Sequence, residues 1–317
     1  MNSRVATITL NPAIDHTASI PNFKAGEVNR VEWEQIDPGG KGVNVASFLA
    51  GFDVPVSVSG FLGRNNATLF QNFFKEKGIR NHFVIVEGNT RVNIKVIDEA
   101  QNQVTDINFP GLVPTQPDIT SLDRIIDDLI KDCDWFILSG SIPTGLSPDI
   151  YGKLIDHLKQ QGKTVVLDAS GESLRQAVPF TPFAMKPNVH ELEELIGKSL
   201  DDERSIIQAA ESLIKQGIQC IVVSMGAKGA IFVDSDEMIH ARPPQVEVVS
   251  TVGAGDAMVA GFVIGKLRNF SLSECAKLAT ACSIAALSQV GPRLPPQDTI
   301  ESWMSKVTIT PLLQTQV

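Results

Sequence analysis

The sequence predicts an α/β fold: a three-layer α/β/α sandwich around a mostly parallel central sheet, with a small β-sheet lid. Three observations support this. Short apolar runs rich in β-branched residues recur along the chain, as buried strands do. Between them lie segments whose apolar residues return every three or four positions, the period of an amphipathic helix. Strand and helix in turn give β-α-β units, and so parallel strands with helices on both faces. Two stretches then break the alternation with period-two patterns and no helix of their own, which marks extra strands outside the main sheet.

Taken in order, the strands are "RVATITL" (4–10), "VPVSVSG" (54–60), "WFILSGS" (135–141), "TVVLDAS" (164–170), "CIVVSMG" (220–226) and "GAIFVDS" (229–235). "SLDRIIDDLIKD" places Leu122, Ile125, Ile126, Leu129 and Ile130 on one helical stripe, and "IIQAAESLIKQG" does the same with Ile206, Ile207, Ala210, Leu213 and Ile214. The irregular stretches, 16–36 and 90–109, hold the expected lid strands and suggest an antiparallel flap. Edge hairpins without a role fit either run equally well when it stands alone. No repeat, low-complexity tract or Pro/Gly-rich linker divides the chain, so residues 1–317 read as one domain.

Composition narrows the function classes. At 317 residues and 43% hydrophobic content, the chain can bury an enzyme-sized core. Its 27 Lys and Arg against 36 Asp and Glu leave a formal charge of −9, which repels a polyanionic backbone and argues against nucleic acid. Cys133, Cys220, Cys275 and Cys282 form no C-x-x-C pair and read as reduced core thiols of a cytoplasmic protein. Neither a signal peptide nor a run of about 18 apolar residues stands out, so no membrane association is expected.

In an open parallel sheet, ligands bind beyond the carboxyl ends of the strands. Polar residues gather there: Asp15 after the first strand, Asp168 within the fourth, Glu191 after "FAMKPN", and Gly226 closing "CIVVSMG". "DPGGKGVNVASFLAG" (37–51) runs through Gly39 and Gly40 into a helix from Lys41. Free N–H groups at a helix start attract anions, Lys41 adds a full charge, and Asn44 follows on the same side at i,i+3. A plain turn before an ordinary helix explains the glycines as well. Arg91, Asn93 and Lys95 share one strand face, and an arginine fork suits phosphate, although a solvated face is the commoner fate of such a pattern. In "KPNVHELEEL" (186–195), Asn188 can cap a helix with Glu191 completing a capping box. The same two residues are hard oxygen ligands suited to a hydrated Mg²⁺ on a nucleotide, and both readings stay open.

"VVSTVGAGDAMVAG" (248–261) sets Gly253, Ala254 and Gly255 at a helix start beside Asp256. A carboxylate next to an anion pocket suits a general base, but a first-turn acid can equally serve only the helix dipole. Other motifs can be set aside. "GKS" (197–199) has Leu192 where a P-loop needs glycine, and "GAGDAM" has Met258 where a dinucleotide fingerprint needs its third glycine. His16, His82, His157, His190 and His240 form no zinc-ligand spacing.

Together, "PGGKGVNVA", "KPNVHELEEL" and "STVGAGDAMVAG" resemble the ribokinase-like carbohydrate kinases of the PfkB family, in order and over most of the chain. The resemblance implies the same sandwich with a β-lid, and phosphoryl transfer from MgATP to a sugar hydroxyl. "RVATITLNPAID", "GGKG", "TRVNIKV" and "VTDINFPG" look most like the branch that phosphorylates D-fructose 1-phosphate to fructose 1,6-bisphosphate. Tagatose 6-phosphate kinases share much of this pattern, and 6-phosphofructokinases of the family are a further alternative. A sugar-phosphate or nucleotide sensor on the same fold would have no use for Asp256. By resemblance, Asp256 is the catalytic base and Gly253, Ala254 and Gly255 form the anion hole. Asp15, Gly39, Gly40 and Asn44 are expected at sugar hydroxyls, and Lys41 and Arg91 at the substrate's phosphate, with Asn93 and Ser139 nearby. Lys186, Asn188 and Glu191 are expected at nucleotide phosphates and Mg²⁺, with Asp168 in the metal's outer shell. Ser224, Gly226, Ser250, Thr251, Val252 and Ser283 are expected to line the nucleotide site. A homodimer through the lid is also implied.

Overall fold

Each β-α unit of the main sheet follows from a buried run of branched residues feeding a one-sided helix. The computed structural model describes residues 4–312 except 102, 247, 249 and 290. In chain order its elements are β1 (Val5–Thr9), β2 (Ala13–Ser19), β3 (Trp33–Gly39), α1 (Lys41–Ala50), β4 (Val56–Gly63), α2 (Ala67–Glu76), β5 (Arg80–Asn81), β6 (Val84–Val86), β7 (Arg91–Asp98), β8 (Gln103–Ile107), α3 (Gln116–Asp132), β9 (Trp135–Ser139), α4 (Ile150–Gln160), β10 (Thr164–Asp168), α5 (Gly171–Ala177), β11 (Ala184–Met185), α6 (Val189–Ile196), α7 (Glu203–Lys215), β12 (Cys220–Ser224), β13 (Ala230–Val233), β14 (Met238–Arg242), α8 (Ala254–Leu267), α9 (Leu272–Leu287), α10 (Gln297–Lys306) and β15 (Thr308–Pro311).

The main sheet runs β15-β14-β13-β12-β11-β10-β9-β1-β4-β5, with β6 also beside β4. From β12 to β5 the strands are parallel, and β13, β14 and β15 are antiparallel. Successive side chains of a strand point to opposite faces. Val5 accordingly joins a core with Phe48, Phe70, Phe262 and Ile264. Ala6 and Ile8 join another core on the opposite side, with Leu122, Ile126, Tyr151, Leu174 and Leu213.

Helices α1, α2, α8 and α9 supply one outer layer and α3 to α7 the other, as the fold class requires. Side chains cap several of these helices: Asp202 accepts from Ser205 N–H at the start of α7, and Ser271 from Glu274 N–H at the start of α9. The four cysteines are free and buried. Among the described residues, no helix is long and apolar enough to cross a membrane.

The two irregular stretches form a second sheet in the order β3-β2-β7-β8. Its outer pairs are antiparallel, but β2 and β7 run parallel, unlike the antiparallel flap expected. The reason is the direction of entry: β2 follows β1, β7 follows β6, and both precursors belong to parallel strands of the main sheet. Register puts Asp15, Asp37, Asn93, Lys95 and Asp106 on one face, and Ile36, Val92, Ile94 and Ile107 on the other. Ile36, Val92 and Ile107 on this second face are exposed, and His16 and Glu34, which hydrogen-bond at 2.7 Å, share the face with them.

Candidate active site

The carboxyl ends of β9, β10, β11 and β12 meet the first turns of α1, α6 and α8. Asp168 closes β10 in register with Ser139 of β9, and both are buried. Lys41, the first residue of α1, donates from Nζ to Asp168 Oδ1 at 3.0 Å, and Lys186 Nζ lies 3.4 Å from the same oxygen. The Lys186 backbone is fixed by its N–H, which donates to the Leu167 carbonyl at 3.1 Å. Burial opposes ionisation of Asp168, yet the two ammonium groups hold its carboxyl below the usual range. Asp168 in turn raises Lys41 above the ordinary lysine range against the cost of burial, with smaller help from Asp256 and Glu191. Asp168 Oδ2 and Ser139 Oγ are buried and lack a hydrogen-bond partner among the described residues.

Gly253 is the N-cap of α8, and no side chain caps this helix. The first intrahelical bond runs from Ala257 N–H to the Gly253 carbonyl at 2.7 Å, so the N–H groups of Ala254, Gly255 and Asp256 have no partner within the helix. A Cβ on Gly255 would lie 3.4 Å from Lys186 Nζ, which places a full positive charge beside those dipoles. Asp256 is buried, and its Oδ2 accepts from Asn44 Nδ2 at 2.7 Å instead of turning back to the helix start. Burial, and secondarily Asp168, push its carboxyl up to about 6, with Lys41, Asn44 and Lys186 working the other way. The loop before α8 is tied down by Ser250, whose Oγ accepts from Val252 N–H at 3.2 Å and whose N–H donates to the Leu287 carbonyl at the end of α9, also at 3.2 Å. Ser283 lies one turn earlier on α9 and is half-buried, and Thr251 is exposed.

On the polar face of the second sheet, Asp15 Oδ1 accepts from Asn93 Nδ2 at 3.3 Å. Burial raises the Asp15 carboxyl to about 6, against Asn93, Arg91 and Lys95. Gly39 is required here by close approach, because a Cβ would overlap Asp15 Oδ2. Gly40 follows as the N-cap of α1. Arg91 donates to the carbonyls of Asn11 (3.0 Å), Pro12 (3.3 Å) and Phe109 (3.3 Å). Three bonds leave a guanidinium two of its five N–H donors. Lys41 pairs with Asp168 at the start of α1, the helix whose Asn44 binds Asp256.

Further metal and nucleotide candidates lie at the start of α6 and beyond β12. Asn188 and Glu191 form the capping box expected of them: Asn188 Oδ1 accepts from Glu191 N–H, and Glu191 Oε2 from Asn188 N–H, both at 2.8 Å. Ser224 N–H donates to the Pro187 carbonyl at 3.0 Å, bringing the two loops together. Asn188, Ser224, Gly226, Lys228, His240 and Arg242 line a cleft of about 780 Å³, within the size range of small-molecule sites. The orphaned Asp168 Oδ2 and the Glu191 carboxylate, whose charge is felt at Lys41, are oxygen donors of the kind a hydrated Mg²⁺ takes.

Sequence reasoning misses Asn11, whose Nδ2 donates to Ser141 Oγ at 3.0 Å and ties the loops after β1 and β9 together. The Asn-Pro step directly after the first strand is the available signal. It also misses Arg293, which pairs with Asp37 on β3; no local pattern marks that partnership.

Comparison with known proteins gives a consistent result. Residues 6–300 match the pfkB family carbohydrate kinase model. The chain is 42% identical over 313 residues to the 1-phosphofructokinase of Rhodobacter capsulatus, a match that covers 98% of this chain and 99% of that one. Among solved structures, a possible 1-phosphofructokinase from Thermotoga maritima superposes with a TM-score of 0.90 at 30% identity, over 98% of this chain and 100% of that one. Phosphofructokinase-2 from Escherichia coli, solved with substrates and products, superposes with a TM-score of 0.89 at 28% identity, over 95% of this chain and 98% of that one.

Proposed function

The chain belongs to the pfkB family of carbohydrate kinases, and we propose that it transfers the terminal phosphoryl group of ATP to the C6 hydroxyl of D-fructose 1-phosphate. The 42% identity to a 1-phosphofructokinase over nearly the whole chain supports the acceptor. The observation that carries the chemistry is the buried Asp256 carboxylate at the start of α8, where the helix leaves its N–H groups without partners beside Lys186.

In this reading Asp256 accepts the C6 hydroxyl proton as the new O–P bond forms and the bond to ADP breaks. With its carboxyl at about 6, it is mostly ionised at neutral pH and close enough to that pH to act as a base. Asn44 holds the carboxylate in place through its 2.7 Å bond. Phosphoryl transfer depends chiefly on alignment and charge neutralisation. The N–H groups of Ala254, Gly255 and Asp256 and the ammonium groups of Lys186 and Lys41 supply that charge. The placement of Lys41 on Asp168 favours a role at the transferring group over one at the substrate's own phosphate, which falls to Arg91. Asp15, Gly39 and Gly40 would face the sugar hydroxyls, with Asn93 and Ser139 as further candidates at the substrate's phosphate. Asn188, Glu191 and Asp168 would hold Mg²⁺ through water, and the ion would neutralise nucleotide phosphate charge. Ser224, Gly226, Ser250, Thr251, Val252 and Ser283 would line the nucleotide. The exposed Ile36, Val92 and Ile107 on one face of the second sheet suit a homodimer through that sheet, and the protein would work in the cytoplasm.

A coupled ADP-release assay across fructose 1-phosphate, fructose 6-phosphate, tagatose 6-phosphate and ribose tests the acceptor. The highest kcat/KM is expected with fructose 1-phosphate; preference for tagatose 6-phosphate or fructose 6-phosphate would overturn that choice, and no turnover of any sugar would point to a sensor.

A further inference from the structure

Asp37 and Arg293 are absent from the mechanism above, yet they meet across 256 positions as a bidentate pair. Arg293 Nη2 donates to Asp37 Oδ1 at 2.5 Å and Nη1 to Oδ2 at 3.2 Å. Gln35 Nε2 donates to the same Oδ2 at 2.5 Å. The Asp37 side chain is only 8% exposed, whereas that of Arg293 is 48% exposed. Gly291 passes so close that a Cβ there would overlap both Asp37 Oδ2 and Arg293 Nη1, so a side chain at 291 would displace the pair. Two-point charged bonds fix relative orientation as well as distance.

The two ends of this pair belong to different halves of the site. Asp37 stands opposite Asp15 in the β2–β3 register, two residues before Gly39, which abuts the Asp15 carboxylate. Arg293 follows Pro292, whose Cα lies 3.6 Å from where a Cβ of Gly253 would be, at the cap of α8. The pair therefore joins the acceptor sheet to the phosphoryl pocket. We propose that Asp37 and Arg293 are positioning residues that set the separation between the polar face of the second sheet and the N-terminus of α8, and with it the alignment of the acceptor hydroxyl to the phosphoryl group. This rests on the kinase reading for its catalytic consequence, but not for its mechanical one.

Two measurements on the full-length protein separate those consequences. In Arg293→Gln, amide hydrogen exchange should quicken both in β3 and in the loop and first turn over 250–256. Its kcat should fall by about 10- to 100-fold, the range that a displacement of about 1 Å produces, while the KM for ATP stays within about twofold. Arg293→Lys should recover part of kcat, and Asp37→Asn combined with Arg293→Gln should be no worse than either alone. Exchange changes confined to the segment around Arg293, or additive losses in the double variant, would overturn the proposal. If the wild-type protein prefers another sugar, the acceptor assignment fails while the exchange data still decide the positioning role.

Discussion

Asp15 and Asp256 are the same side chain in two settings. Burial raises each carboxyl to about 6, and each accepts a hydrogen bond from an asparagine, Asn93 or Asn44. Their surroundings differ. Asp256 sits at the start of a helix buried from Asp256 to Gly265, beside N–H groups that the helix leaves free and near Lys186 and Lys41. Asp15 sits on a strand of a four-stranded sheet, facing Asn93, Arg91 and Lys95. A raised pKa therefore does not by itself separate a proton acceptor from a residue that holds a hydroxyl. In the proposed reading, the N–H groups that α8 leaves without intrahelical partners beside Asp256 make that distinction.

The largest contrast should come from removing each charge. Asp256→Asn should lower kcat by about 10²- to 10⁴-fold, the usual worth of a general base, with the affinity for MgATP little changed. Asp15→Asn should act chiefly on KM for the sugar phosphate; an equal loss of kcat would erase the distinction between the two sites. Arg91→Ala should raise KM for the sugar phosphate by about 10-fold or more, consistent with loss of a hydrogen bond to a charged group, and affect the KM for ATP far less. Equal effects on both substrates would make Arg91 a structural residue serving the carbonyls it already binds.

Smaller effects concern pH. kcat/KM should rise as pH increases through about 6 and then level off, because Asp256 must be ionised to act. Asp15→Asn should keep this limb if it comes from Asp256; its disappearance would assign the limb to Asp15. Stability should move the opposite way. A carboxyl raised from 3.8 to about 6 on folding contributes stability below about 4 that is lost as pH rises through about 6. Asp256→Asn removes that loss, so it should stabilise the protein by a few kcal/mol at pH 7, a gain that shrinks to nothing near pH 4. Denaturant melts at the two pH values would show it, and an equal effect at both would exclude the burial penalty as its cause.

Local features of the site are legible from sequence because their causes are local. The helix begins at Lys41 as the glycine pair suggests, and Asn188 with Glu191 forms the capping box that its spacing implies. The alternation of Arg91, Asn93 and Lys95 predicts their shared face. Relations between distant segments are not legible. Lys41 finds Asp168 127 positions away, and the parallel β2–β7 pairing follows from the order of strands in the main sheet. The first-turn position of Asp256 is clear, but the direction of its carboxylate toward Asn44 requires the packing of α1 against α8.

Single-turnover phosphoryl transfer by Asp256→Asn, with fructose 1-phosphate and MgATP both saturating at pH 8, tests the base assignment most directly. The chemical step should slow by at least about 100-fold with both substrates still bound. A step within a few-fold of wild type would contradict the role of Asp256 as the base.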